Sequence, residues 1–382
     1  MHPLSSHLSY WEAQHLTGDY DYTILGMGIV GLSTAIELME IDPSLKIRVI
    51  DQKVLPVGAS TRNAGFACFG SVSEISDDIS QHGLDVASQL VAMRWQGLQR
   101  LRSRVMAEEM KYKNQPGIEV FGSAEEAEQY RALIPEYNGL VSSISGEIDC
   151  FSFSKEGVLG PEISNRLEGS VNPQMMMARL ELIARTHGVV FVQGLAVTSI
   201  DRDRQQLETA FGTLGYSHLV VCTNGFTSQL LPELDLQPAR NQVLVTSPID
   251  GFSLQGCYHM DRGYVYFREI EGRLLIGGGR HLDVHRETTT DFGTTTVIQD
   301  FLKATIRHRI LGHDDYEIDH SWSGILGVGS SKVPIVKNIK SNLTVAVRMG
   351  GMGVAIGSYI GQLTAAILTD TDNSARRLFV IE

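Results

Sequence analysis

The chain has 382 residues, enough for about two domains of common size, and 43% of them are hydrophobic against 20% charged. That balance excludes wholesale disorder, and a net charge of −12 without a basic run makes nucleic acid a poor partner. Glycine is abundant at 38 residues and clusters in a few places, which points to backbone brought close to a ligand.

Residues Met1 to Gly18 carry His and Glu among apolar residues, without a basic segment ahead of an apolar one. They read as a partly amphipathic lead-in and not as a signal peptide. Tyr22 to Leu25 predicts a strand, followed by Gly26-Met27-Gly28-Ile29-Val30-Gly31. Leu32 to Glu40 then reads as a helix, with Leu32, Ala35, Ile36 and Met39 at helical spacing, and Asp42-Pro43 breaks it. Lys46 to Ile50 is a second predicted strand, ending at Asp51. The block from Gly58 to Gly70 is rich in small residues. Asp77 to Met110 reads as helical, and Ser123 to Leu133 as a helix capped by Ser123 with Glu126 three residues on. A second α/β stretch has a helix over 173–187, strands over 189–191 and 196–200, and a hairpin over 207–215. Val220 to Asn224 reads as a buried strand. Strands over 243–246, 264–268 and 273–277 precede a Thr-rich polar loop over 288–296. A helix over 297–309, a strand over 343–347 and a helix over 354–368 complete the chain, and no internal repeat is present. No run of 18 apolar residues exists, so no spanning helix is expected and the cytoplasm is the default location. Cys68, Cys150, Cys222 and Cys257 are too far apart for a zinc pair and fit a reducing compartment.

The first glycine cluster has a mechanical reading. Gly26 permits the tight turn after the strand, Gly28 lets the backbone approach a pyrophosphate, and Gly31 lets helix and strand pack closely. The helix N-terminus offers free N–H groups and partial positive charge to the phosphates. Asp51, 20 residues after Gly31, can accept a hydrogen bond from a ribose 2′-OH and disfavours a 2′-phosphate. Ile29 and Val30 in the turn, and Gln52 beside the acid, belong to the same expected dinucleotide site.

Which dinucleotide is not fixed by spacing, but several pieces together resemble one family. They are Asp21 to Gly31, Gly58-Ala59-Ser60-Thr61-Arg62-Asn63-Ala64-Gly65-Phe66, Val220 to Gly225, Trp322-Ser323-Gly324 read as a turn, and Gly350-Gly351-Met352-Gly353-Val354. The chain resembles the FAD-dependent amine and amino-acid oxidoreductases of the D-amino-acid oxidase, glycine oxidase and sarcosine oxidase group. The second loop is similar to that of the gamma-glutamylputrescine oxidoreductase type. The resemblance implies FAD as cofactor, with Ser60, Thr61, Asn63, Ala64, Gly65 and Phe66 wrapping the flavin and pyrophosphate. It implies a backbone contact from Val197 to adenine, and contacts from Thr223, Asn224 and Gly225 to the pyrophosphate or ribose. Gly324 and the turn of Gly350, Gly351, Met352, Gly353 and Val354 fall on the flavin side. There the last helix would stabilise negative charge on the cofactor. The second loop has no His, and no Cys lies near Trp322 or Gly351, so the FAD is expected to be non-covalent.

The implied fold is α/β. A discontinuous Rossmann-like FAD domain covers 1–75, 155–235 and 322–382. A second α+β substrate domain covers 76–154 and 236–321, on a mostly antiparallel sheet. The implied reaction is oxidation of a CH–NH bond in an amino acid or secondary amine, with oxygen or another acceptor taking the electrons. A carboxylate substrate needs an anchor, usually a bidentate Arg. Glycine oxidase-like enzymes carry it two residues after the Trp-x-Gly glycine, where this chain has Leu326. Replacement anchors are Arg268, Arg348 and Lys332, and Tyr264 and Tyr266 fall on one side of a predicted strand. Other readings are a flavin dehydrogenase of 2-hydroxy acids or polyol phosphates, an NAD-dependent dehydrogenase, and a non-enzymatic flavin binder. His281-x-Asp283-x-His285 reads as a polar loop and Met175-Met176-Met177 as core packing, so no metal is expected.

Overall fold

A computed structural model describes residues 8–369. Residues 1–7 of the lead-in and 370–382 of the last FAD-domain segment lie outside them. Within the lead-in, Tyr10–Thr17 is a helix started by a capping box between Ser9 and Glu12.

The first βαβ unit forms as its pattern dictates. Tyr22–Leu25 lies in a six-stranded sheet, parallel to Ile47–Asp51 on one side and His218–Val221 on the other. Val190–Gln193 extends one flank and Leu343–Val347 the other, and the antiparallel Ile335–Lys340 closes the edge. The helix Ile29–Ile41 is buried from Ile29 to Met39, because it is covered on both sides. The sheet covers one side and the last helix, Gly353–Thr369, the other. Glycines set that approach: a Cβ on Gly361 would lie 2.4 Å from the Ser33 Cβ. The same helix meets Leu84–Arg104 at Gly97, where a Cβ would lie 2.0 Å from the Ala355 carbonyl oxygen. The single helical run expected over 77–110 is two helices, Val72–His82 and Leu84–Arg104, divided at Gly83, whose φ of 81° no helix allows.

The second sheet has eight strands, ordered Ile318–Val328, Gln237–Thr246, Arg273–Gly278, Val265–Ile270, Cys257–Met260, Gly117–Val120, Gly160–Asn165 and Phe151–Gly157. All neighbours are antiparallel except Cys257–Met260 with Gly117–Val120. This is the expected α/β architecture with a mostly antiparallel second sheet. Trp322-Ser323-Gly324 is not a turn, however. It lies inside the edge strand, with Trp322 paired to Val243 and Gly324 to Asn241. That strand runs across the expected boundary at 321/322, and Phe151–Gly157 runs across the one at 154/155.

One face of this sheet turns toward the small-residue loop over 58–66. Register places Trp322, Val243, Gly277, Tyr266, His259 and Glu119 in a single cross-strand row. A small apolar cluster of Val243, Val245 and Leu275 with Ala64, Phe66, Tyr266 and Trp322 joins the face to that loop. Helix Thr296–Thr305 packs Ile298 and Leu302 on the opposite face, among Leu244, Phe267 and Ile276.

Candidate active site

A crevice of about 480 Å³ opens at the carboxyl ends of the parallel strands and runs to the edge strand of the second sheet. Ligands of open α/β sheets bind at such strand ends. At one end Gly26, Gly28, Ile29, Val30, Asp51 and Gln52 line it. The Asp51 carboxylate is fixed by backbone, accepting from Met27 N–H at 2.9 Å and Lys53 N–H at 3.0 Å. Each oxygen keeps a lone pair for a ligand hydroxyl. Val197 lines the same end, with Thr223 and Asn224 between the sheets. Gly350, Gly351, Gly353 and Val354 form the wall at the start of the last helix.

The glycines divide by function. A Cβ on Gly31 would lie 2.0 Å from the Gly26 carbonyl oxygen, so Gly31 serves packing and does not line the crevice. A Cβ on Gly28 would meet only Ser60 Oγ, at 3.2 Å, and at Gly58, Gly350 or Gly351 it would meet nothing within 4 Å. These four glycines border open crevice, leaving room that an extended dinucleotide can fill. The cavity lies in the range of cofactor sites, about 300–1,000 Å³.

Ser60 and Asn63 of the second loop line the crevice. Ser60 Oγ accepts from Ile29 N–H at 3.0 Å, at the first turn of the helix. Asn63 shapes its own loop: Nδ2 donates to Ser60 O at 2.8 Å and Oδ1 accepts from Gly65 N–H at 2.8 Å. The remaining predicted loop residues lie behind the wall. Thr61 Oγ1 donates to Pro56 O at 2.6 Å. Ala64 is in the inner cluster, Phe66 packs edge-on against Tyr266, and Gly65 is pressed against Val171 O. Gly225 abuts the Leu326 carbonyl, Gly324 faces Arg62, and Met352 N–H donates to Met349 O at 3.1 Å.

The substrate-side expectations need correction. Arg268 is buried, but Nε donates to Ala64 O at 2.7 Å and Nη2 to Val171 O at 3.1 Å. It ties loop to sheet, and burial pulls its pKa below the ordinary value. Arg348 Nε donates to Val333 O at 2.7 Å, and Nη1 pairs with Asp235 Oδ2 at 2.6 Å. Lys332 pairs with buried Asp78 at 2.7 Å. Tyr264 precedes its strand, is 51% exposed and rests on the His281 ring, so it does not share the face of Tyr266. Tyr266 and Arg268, two residues apart on one strand, both lie on the inner face, but only Tyr266 presents a side chain there that is not tied to the loop backbone. Its hydroxyl accepts from Asn241 Nδ2 at 3.1 Å, and burial pushes its pKa well up. His281 also meets Phe301, while Asp283 caps the helix Val284–Glu287, so the three predicted polar residues share no strand.

Sequence reasoning missed Phe226, Phe292, Ile325 and Met349, which line the crevice, and had Met176 only as core. Asn224 carries a usable signal: its φ of 44° and its Oδ1 accepting from Met349 N–H at 3.3 Å join the two glycine-rich turns.

Glu168 supports the segment leading away from the second loop, accepting Phe69 N–H at 2.9 Å and Gly70 N–H at 3.1 Å. Burial pushes its carboxyl from 4.5 up to about 7. The folded value lies above the unfolded one. Its stabilising contribution is therefore full below 4.5 and is lost as pH rises through about 7. That gap corresponds to about 3 kcal/mol. Urea unfolding at pH 4 and pH 8 is expected to show the wild type losing about 3 kcal/mol more than Glu168→Gln across the interval. Parallel pH dependences would refute it.

A parallel sheet with a glycine turn at a helix start, facing a mostly antiparallel second sheet, defines a dinucleotide-binding α/β protein. The chain belongs to the FAD dependent oxidoreductase (DAO) family, which residues 21–367 match. It is therefore an enzyme, and FAD is its cofactor. Gamma-glutamylputrescine oxidoreductase of Escherichia coli (strain K12) is 22% identical over 373 residues, covering 91% of this chain and 83% of that protein. Among solved structures, glycine oxidase from Geobacillus kaustophilus has a TM-score of 0.74 at 19% identity, covering 94% of this chain and 96% of its own. L-alpha-glycerophosphate oxidase from Mycoplasma pneumoniae with FAD bound has a TM-score of 0.73 at 15% identity, covering 92% and 95%. At these identities the structures share the fold. Among the described residues no helix is long and apolar enough to cross a membrane.

Proposed function

We propose that the enzyme oxidises the CH–NH bond of an amino acid or secondary amine to an imine, which water then hydrolyses. A C–H and an N–H bond break, a C=N bond forms, and two electrons and two protons leave the substrate. FAD, when bound, would supply the two-electron sink, with oxygen or another acceptor taking up the electrons. The observation that carries this reading is the continuity of the crevice from Asp51 to Ile325 and Leu326 of the second sheet. The names of the amine-oxidising relative and of the glycine oxidase neighbour agree with it.

The chain's own groups have distinct tasks in this reading. The first turns of Ile29–Ile41 and Gly353–Thr369 present N–H groups and partial positive charge to the crevice. The phosphates would lie against Gly28, and the ribose against Asp51. Ser60 and Asn63 hold the loop beside the crevice, and Val197 and Thr223 would flank the cofactor's adenosine half. Tyr266, seated over Gly277 and hydrogen-bonded to Asn241, backs the end of the crevice that meets the second sheet. Phe226 and Phe292 exclude water at the same end. In this reading the six-stranded sheet belongs to the FAD domain and the eight-stranded sheet, with 151–165 and 318–328, to the substrate domain. The four cysteines are free, which accords with a cytoplasmic enzyme.

FAD is held non-covalently in this reading. Cys222 borders the crevice, but burial pushes its thiol up to about 12, so it offers no thiolate. Acid precipitation is expected to leave all flavin in the supernatant, and a yellow pellet would contradict this. Anaerobic titration with a panel of amines and amino acids tests the reaction. Bleaching by these compounds is expected, whereas bleaching only by 2-hydroxy acids or polyol phosphates would replace the reading.

A further inference from the structure

Where the crevice meets the second sheet, its wall is Phe226, Phe292, Ile325, Leu326 and Met349. The two phenyl rings lie 6.1 Å apart at 51°. Leu326 shares the inner face with Trp322 through the alternation of their strand. The cations around this wall each have a protein partner. Arg268 serves two backbone carbonyls, Arg348 pairs with Asp235, and Lys332 pairs with Asp78. Arg240 grips buried Glu287 with two hydrogen bonds, at 2.8 and 3.0 Å. Arg62 stacks on Phe292 at 4.5 Å and donates to Ser323 O at 3.0 Å.

A carboxylate pressed against Phe226, Ile325, Leu326 and Met349 would lose its hydration to side chains that donate no hydrogen bond. An alkyl or aryl group there gains burial against aromatic and branched side chains, and an ammonium group gains from the ring faces.

We propose that the substrate is an amine bearing no carboxylate on its reacting carbon, and that Phe226, Phe292 and Leu326 select it by receiving an apolar substituent. The inference rests on the CH–NH oxidation above and narrows its substrate class.

Two matched pairs test it, each differing only by the carboxylate: butylamine with norvaline, and benzylamine with 2-phenylglycine. Anaerobic bleaching of the FAD-loaded enzyme is expected with at least a tenfold higher kcat/KM for the amine of at least one pair. Calorimetry is expected to give the same order in Kd. Leu326→Arg, checked for retained flavin and melting temperature, is expected to raise kcat/KM for the amino-acid members at least tenfold and lower it for the amines. Should that variant not fold, Phe292→Ala serves instead, and is expected to lower kcat/KM for the amines several-fold more than for the amino acids; equal losses for both would overturn the inference. Equal or better turnover of the amino acids by wild type overturns the inference and leaves the CH–NH reaction standing. Failure of all four compounds, with bleaching by hydroxy acids, removes both.

Discussion

Gly31→Ala is expected to unfold the cofactor site. The added methyl would lie 2.0 Å from the Gly26 carbonyl oxygen, and that oxygen has nowhere to go. Gly26 has a φ of 103°, its N–H donates to Ile50 O at 2.8 Å, and it abuts the Cys222 carbonyl on its other side. The helix must therefore lift from the strand, at a cost of about 3 kcal/mol or more. Urea unfolding and the flavin-to-protein absorbance ratio should both fall sharply. Gly28→Ala makes the contrast. Its methyl meets only Ser60 Oγ, so the fold should hold within about 1 kcal/mol while FAD content drops. A Gly31→Ala protein that melts like wild type with full flavin would show that this glycine does not set the approach.

Arg268→Met is expected to destabilise the protein by about 3 kcal/mol or more, since two charge-assisted hydrogen bonds to buried carbonyls disappear together. The methionine keeps the hydrophobic stem and removes the donors. KM for an amine substrate should stay within about twofold of wild type in the folded fraction, as expected of a contact that carries under about half a kcal/mol of substrate binding. A stable variant whose KM rises a hundredfold would restore Arg268 as a substrate anchor.

The pattern of local chemistry explains what was legible from sequence. Tyr22 to Asp51 declares itself because strand, glycine turn, helix and acid are neighbours in the chain, and each constrains the next. The second sheet is harder to see. Cys257–Met260 is four residues long and buried throughout, so it shows no alternation. Ile318–Val328 carries Asp319, His320 and Ser321 after its first residue, whose exposed polarity masks a strand, and Trp322-Ser323-Gly324 then looks like a turn. The hairpin over 151–165 hides for the same reason, with Ser152, Ser154, Lys155 and Glu156 among its residues. The arginines misled because their partners are remote. Ala64 is 204 positions from Arg268, and Asp235 is 113 from Arg348, so no local spacing reveals that either is occupied. Phe226 and Phe292 gave no signal, since a lone aromatic in a loop acquires meaning only from the ring facing it.

The crevice draws Gly26 to Val30 from one end of the described chain and Met349 to Val354 from the other, with Leu343–Val347 locking beside His218–Val221. On the ribosome, the first nucleotide-binding turn thus emerges long before the strand and helix that complete it. At ordinary elongation rates the delay is roughly 15–60 s. Throughout it, the apolar helix Ile29–Ile41 and an open parallel strand edge stand without their cover. The crevice is consequently complete only after Gly353–Thr369 has been made, so flavin uptake is expected to follow its synthesis.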